Sequence, residues 1–98
     1  MTELVYTEQA LSDLERLSNF LLETNPQAAE DTTALIFGAL EILVQHPEIG
    51  HKVHFGQRGL VISRGRTGYL ALYRYFPHAD RVLVLAVRHQ RESGYKSL

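Results

Sequence analysis

A chain of 98 residues, 45% hydrophobic and 21% charged, has room for a single domain over residues 1–98 and for one core. The absence of cysteine excludes disulfides, thiol nucleophiles and thiolate metal sites, and the longest uninterrupted apolar run, residues 82–87, is far shorter than the roughly 20 residues of a membrane span. The net charge of −1 divides sharply: residues 1–50 hold nine Asp/Glu and one Arg, a balance of −8, whereas residues 51–98 hold nine Lys/Arg and two Asp/Glu, a balance of +7. Either the two halves neutralise each other within the fold, or the second half builds a face for an anionic partner such as nucleic acid or an acidic peptide.

Residues 3–6, Glu-Leu-Val-Tyr, have strand composition and stop at Thr7, whose hydroxyl can cap a helix that opens with Glu8. Ala10, Leu14, Leu17 and Leu21, joined by Leu11, Ser18 and Leu22, recur at helical spacing and predict a helix to about Glu23, with Asp13, Glu15, Arg16 and Asn19 on a solvated face. Asn25 and Pro26 stop that helix and start a second, because Asn caps and Pro suits a first turn that needs no backbone N–H. The second helix, about residues 26–45, is predicted to bury Ala29, Thr32, Ile36, Ala39, Leu40 and Leu43. Ala28, Leu35, Phe37, Ile42 and Val44 leave it apolar over much of its circumference, so the sheet and the first helix should both cover it, or else a partner covers the remainder.

Pro47 and Gly50 end the second helix, and residues 51–59 read as loop. Strand-like runs follow at residues 60–63, 69–76 and 81–87, joined by connectors short enough for hairpins. In the second run Tyr69, Ala71, Tyr73 and Tyr75 alternate with Leu70, Leu72, Arg74 and Phe76, as a two-faced strand requires; the unbroken run 82–87 suits a buried central strand. The expected architecture is α+β, in the order β-α-α-β-β-β, with a helical hairpin on one face of a small antiparallel sheet. Arg58, Arg64, Arg66, Arg74, Arg88 and Arg91 fall on or beside strands, several of them expected to share a concave surface near the tail.

The most suggestive segment is residues 88–95, Arg-His-Gln-Arg-Glu-Ser-Gly-Tyr. Metal-free RNA cleavage needs a base for the 2′-OH proton, an acid for the leaving oxygen and cations on the phosphorane. His89 can serve as base or acid near neutral pH, Arg88 or Arg91 as the clamp, and Tyr95 as a proton donor or stacking surface. A His and a Tyr after a core strand are, however, more often structural, hydrogen-bonded residues. His46, His51 and His54 lack the further ligands that would complete a metal set, and no metal or cofactor is expected. Residues 64–68, Arg-Gly-Arg-Thr-Gly, lack nucleotide-loop spacing and read as a glycine hairpin. Tyr69, Tyr73 and Tyr75 form one side of an aromatic core or a stacking platform for bases.

Residues 7–14 at the first helix, 25–29 opening the second, 46–50 closing it, 60–63, the pair Gly68-Tyr69 and residues 88–92 occur in an order and spacing that resembles the RelE/ParE superfamily of bacterial type II toxins, especially its ParE-like, "plasmid stabilization" branch. The resemblance covers nearly the whole chain. It implies a growth-inhibiting toxin held inactive by a co-produced antitoxin; a cytoplasmic location without membrane contact is expected separately, from the short apolar runs and an N-terminus with neither a basic start nor an apolar signal segment. In the RelE-like ribosome-dependent mRNA endonucleases of this superfamily, lysines on the first strand after the helices and an arginine after the Gly-Tyr hold the scissile phosphate. Those positions are Val61, Ser63 and Leu70 here. The resemblance therefore implies an inhibitor of DNA gyrase, with Arg58, Arg64, Arg66, Arg74 and Arg88 as candidate target- or phosphate-binding residues. The alternatives are an mRNA endonuclease acting on the ribosome through His89, Arg91 and Tyr95, and a non-toxic antitoxin-binding module.

Overall fold

The computed structural model describes residues 2–63, 68–92 and 94–95. Strand β1 (Glu3–Tyr6) leads into helix α1 (Glu8–Leu22), α2 (Pro26–Glu41) follows, and a 3-10 turn at Ile42–Val44 tightens its end. Strands β2 (His51–Lys52), β3 (Arg58–Ile62), β4 (Tyr69–Phe76) and β5 (Arg81–His89) complete one sheet in the order β1-β5-β4-β3-β2. The last four strands are antiparallel neighbours, and β1 pairs in parallel with β5, so the sheet is mixed. Residues 51–59, expected as loop, instead form a short hairpin whose second arm enters β3, and β5 continues past Val87 to carry Arg88 and His89.

Both helix starts form as local chemistry dictates. The Thr7 hydroxyl accepts from the Ala10 N–H at 3.0 Å and donates to the Leu85 carbonyl at 2.9 Å, so one side chain caps α1 and anchors it to β5. Asn25 accepts from the Ala28 N–H at 3.2 Å, with Pro26 in the first turn of α2. Ala10, Leu14, Ile36, Leu40 and Leu43 from the helical layer pack on Ile62, Tyr69, Ala71, Tyr73, Val82, Val84 and Val87 of the sheet. Each of the larger aliphatic side chains here contributes roughly 1.5–3 kcal/mol by leaving water. Tyr69 and Tyr73 are thus core residues, and Tyr75 packs at its margin.

The register shifts between Leu72 and Tyr73 of β4, whose partners are Ala86 and Val84, leaving Leu85 as the extra residue of a bulge. It is this freed Leu85 carbonyl that Thr7 binds. Beyond Tyr6, β5 has no β1 partner, and Asp13 of α1 takes over by accepting from the Val87 N–H at 2.9 Å. Asp13, expected on a solvated face, is 1% exposed for this reason. Its neighbour Arg16 is also drawn inward, donating to Asp13 at 2.9 Å.

The expectation that the sheet and α1 cover α2 on both sides is only half met. Ala29, Ile36 and Leu40 are buried, whereas Leu35, Phe37 and Ile42 stay exposed, as do Leu11 and Leu22 on α1. Phe37 retains one intramolecular partner, the Tyr6 ring, in an edge contact at 5.6 Å.

Candidate functional site

The helices occupy the face of the sheet that carries Tyr69, Ala71, Tyr73, Val82, Val84 and Val87. On the opposite face, cross-strand pairing places Val61 beside Leu70 and Leu70 beside Arg88. A single row across three strands therefore reads apolar, apolar, cationic. At its Arg88 end the chain turns back on itself and forms a knot of polar contacts.

Arg88 directs its guanidinium into that turn, donating to the carbonyls of His89 at 3.3 Å, Gln90 at 3.4 Å and Glu92 at 2.8 Å. The same guanidinium lies 5.2 Å from the centre of the Tyr95 ring, a cation–π contact. Burial pushes the Tyr95 phenol above its ordinary value, and the adjacent Arg88 opposes the shift. Tyr95 is therefore a neutral phenol at physiological pH, and its burial makes it a weaker proton donor than a free tyrosine. Arg88 Nε is buried without a hydrogen-bond partner among the described residues.

His89 packs edge-on against Tyr69, ring centres 5.1 Å apart, and its Nδ1 accepts from the Arg91 backbone N–H at 3.0 Å. With Nδ1 used as an acceptor, neutral His89 carries its proton on Nε2, so it presents a donor outward. The Arg91 side chain is exposed and makes no hydrogen bond or ion pair among the described residues. Glu92 closes the turn: its Oε1 accepts from the His89 N–H and from Arg16, both at 2.9 Å. Arg16 in turn binds Asp13, so α1, the end of β5 and the tail form one continuous network.

Among the described residues, Arg58 and Arg74 lie apart from Arg88 and Arg91. Arg58 pairs with Tyr73 across the strands and Arg74 with Leu83, toward the other end of the sheet. Leu70 and Arg74 are four residues apart on β4, about 13 Å at the usual strand rise. Arg58 is spent on the turn after α2, donating to the carbonyls of Glu48 at 3.0 Å and Gly50 at 2.9 Å and pairing with the Glu48 carboxylate at 3.3 Å. Arg74 donates to the carbonyl of Phe55. Arg64 and Arg66 lie outside the described residues. Strand composition alone counted these side chains as available cations, while three-dimensional placement uses Arg58, Arg74 and Arg88 to hold loop carbonyls.

Asp13, Arg16 and Glu92 were missed by the sequence reading. For Asp13 a signal existed: the positions 10, 13, 14, 17 and 21 lie on one helical stripe, so a carboxylate at 13 points at the core. Nothing local marks Glu92 as the partner of a residue 76 positions earlier. Among the described residues no group of three or more His, Asp or Glu side chains is arranged to hold a metal ion, and no helix is long and apolar enough to cross a membrane.

Comparison with known proteins places this arrangement. Residues 4–94 match the family described as "ParE toxin of type II toxin-antitoxin system, parDE". The chain is 36% identical over 84 residues to Toxin RelE3 of Caulobacter vibrioides, covering 86% of this chain and 89% of the relative. Among solved structures it resembles a chain of the chromosomal ParDE toxin-antitoxin system from P. aeruginosa, with a TM-score of 0.74, 19% identity, and 91% and 96% of the two chains covered. It also resembles a chain of the intact E. coli RelBE toxin-antitoxin complex, with a TM-score of 0.63, 18% identity, and 94% and 100% covered. These two likenesses establish the shared fold, two helices on a five-stranded mixed sheet, and the match over nearly the full length establishes the rest: the chain belongs to the ParE toxin family of type II toxin-antitoxin systems.

Proposed function

We propose that this toxin arrests growth by acting on DNA gyrase and that a cognate antitoxin holds it inactive. The observation that carries the choice of target is the cross-strand row Val61–Leu70–Arg88. A nuclease of the RelE type needs several cations around the phosphorane, and the row that would supply them has two apolar members. Losing such clamps costs several kcal/mol of transition-state stabilisation. His89 agrees with this reading, since its Nδ1 lone pair is engaged by Arg91 and is not available to take a 2′-OH proton. The target- or phosphate-binding candidates on this reading are Arg58, Arg64, Arg66, Arg74 and Arg88, with the exposed Arg91 two residues past the end of β5 as a further cation.

The antitoxin's place on this proposal is the helical hairpin. Leu11, Leu22, Leu35, Phe37 and Ile42 leave apolar surface that neither the sheet nor the facing helix covers. An amphipathic segment laid there would bury it and would stabilise a fold this small by mass action.

The test is to incubate the purified protein with its own cell's gyrase, ATP and supercoiled plasmid, then to score linear DNA after denaturing the enzyme. Linear product is the expected result, and its absence sinks the gyrase assignment. A second reading, an mRNA endonuclease acting on the ribosome, draws on the gathering of His89, Arg91 and Tyr95 in one knot. It requires transcript cleavage by the wild type that His89→Ala or Tyr95→Phe abolishes. A non-toxic binding module would leave growth unchanged on induction without the antitoxin.

A further inference from the structure

The hairpin over residues 51–58 is used by none of the contacts described for the far face or the tail. His51 pairs with Gly59 and Lys52 with Arg58, and the tip turns over His54 to Gln57, closed by the Gln57 N–H donating to the His54 carbonyl at 3.2 Å. Two consecutive tip residues have left-handed backbone: Phe55 at φ 60°, ψ 37°, and Gly56 at φ 71°. Glycine suits such a position and phenylalanine does not. The Phe55 side chain does not repay this strain by packing, because it is 85% exposed. A strained backbone that presents an apolar ring to water twice disfavours the isolated fold, which is the signature of a residue kept for what it contacts.

Basic and imidazole side chains gather around this tip, with Val53 as its exposed apolar neighbour. Arg74 of β4 donates to the Phe55 carbonyl and so fixes the tip in place. Lys52 makes no hydrogen bond or ion pair among the described residues, and His51 and His54 are exposed, the His54 ring centre 6.1 Å from that of Phe55. Residues 51–58 contain no acid, and the nearby carboxylate of Glu48 is paired with Arg58. Against the hairpin lies an open cavity of about 360 Å³ lined by Glu48, Lys52, Val53, Arg58, Tyr75 and Pro77 among others. The His54 ring lies beside Phe55, the Arg74 guanidinium on the Phe55 carbonyl, and Lys52, unpaired among the described residues, three positions before it.

We infer that this hairpin is a binding element for single-stranded nucleic acid: an unpaired base stacks on Phe55, held in place by Arg74 on its carbonyl, and Lys52 meets a flanking phosphate. Base–aromatic stacking combined with cations along the backbone is the general mode of sequence-tolerant single-strand binding. Duplex offers no unstacked base to the tip.

Fluorescence anisotropy on the full chain tests this with labelled 12-nucleotide oligothymidine, oligouridine and a duplex of equal length. Both single strands, or one of them, should bind more tightly than the duplex; preference for oligouridine assigns the element to RNA, preference for oligothymidine to opened DNA. Phe55→Ala should weaken binding about tenfold and Phe55→Trp should restore it. Lys52→Ala should lower the salt dependence by about one phosphate contact. Phe55→Asn separates binding from folding, since Asn tolerates the left-handed backbone: it should melt no lower than wild type yet bind as weakly as Phe55→Ala. The inference is overturned if wild type binds duplex as well as single strands or binds neither, if Phe55→Ala binds normally, or if a 12-residue polyglutamate displaces the oligonucleotide in a Phe55-dependent way. No gyrase enters this assay, so its outcome and that of the plasmid assay are independent.

Discussion

At the Tyr69 end of β4 the chain folds back and ties Arg88, His89 and Glu92 into one network, while at the Phe76 end the tip of the 51–58 hairpin leaves Lys52 and Phe55 open to solvent. The knot at the first end joins Arg88, His89, Glu92, Arg16 and Asp13 in continuous contact. The hairpin at the second end has Lys52 unpaired among the described residues and Phe55 in water. Arginines occur at both ends, and at both they donate to loop carbonyls. Cationic residues in a strand-rich half thus do not translate into a cationic surface. What separates the two ends is what the neighbouring carboxylates bind: Asp13 of α1 and Glu92 of the tail tie the knot together, whereas Glu48 at the hairpin end is paired with Arg58 and leaves Lys52 unpaired among the described residues.

The knot can be broken at its most buried member. Asp13→Ala removes the acceptor for the Val87 N–H, Arg16 and Gln9 together, leaving a buried donor and a half-buried cation without a partner. A loss of about 3 kcal/mol in urea unfolding is expected. A loss below about 1 kcal/mol would mean that α1 does not depend on this contact to hold the end of β5.

Tyr73→Phe probes the region between the two ends. The Tyr73 hydroxyl accepts from the Gly50 N–H at 2.8 Å, in a turn so tight that a Cβ on Gly50 would lie 2.7 Å from both the Gly59 carbonyl and the Tyr73 ring. Removing the hydroxyl strands a buried N–H and should cost about 1–2 kcal/mol. Tyr73 also carries a pH signature. Burial raises its folded-state value above the ordinary 10.0, with Gly50 and Arg58 opposing, and Tyr69 and Tyr6 are raised by burial as well. A raised value favours the neutral phenol in the folded state, so the contribution is complete below pH 10 and is lost as pH climbs through the folded value. Thermal melts should therefore fall above about pH 10, and less steeply for Tyr73→Phe than for wild type. Equal slopes would remove Tyr73 from the account.

Glu92→Ala opens the knot from the tail and should cost about 1 kcal/mol, because the released groups, Arg16 and the His89 N–H, regain water more easily than those around Asp13. Faster hydrogen exchange at the His89 amide than in wild type is the accompanying sign, and unchanged exchange would show that Glu92 does not hold the turn. The smallest effect has the opposite sign and belongs to the hairpin. Phe55→Asn relieves left-handed strain and should raise stability by about 0.5 kcal/mol. A clear loss instead would make Phe55 a packing residue and erase the contrast between the two ends.

Much of this fold is written in short-range chemistry. Thr7 and Asn25 cap their helices three residues ahead, apolar spacing defines the buried stripes of α1 and α2, and β4 occupies the predicted residues because alternation and flanking turns are local. The Val61, Ser63 and Leu70 positions on which the proposed choice of target rests are likewise legible in one dimension once the strands are aligned. Tertiary structure alone decided that β1 lies parallel beside β5, that its early end leaves a gap for Asp13 to fill, and that Glu92 reaches Arg16. It also decided that Arg58 and Arg74 face loop carbonyls far from the tail and that residues 51–58 form a hairpin with Phe55 at its tip. Caps and stripes depend on neighbours within one or two turns of chain. Each of these others depends on which backbone groups remain unpaired after distant segments meet, and a linear pattern carries no record of that.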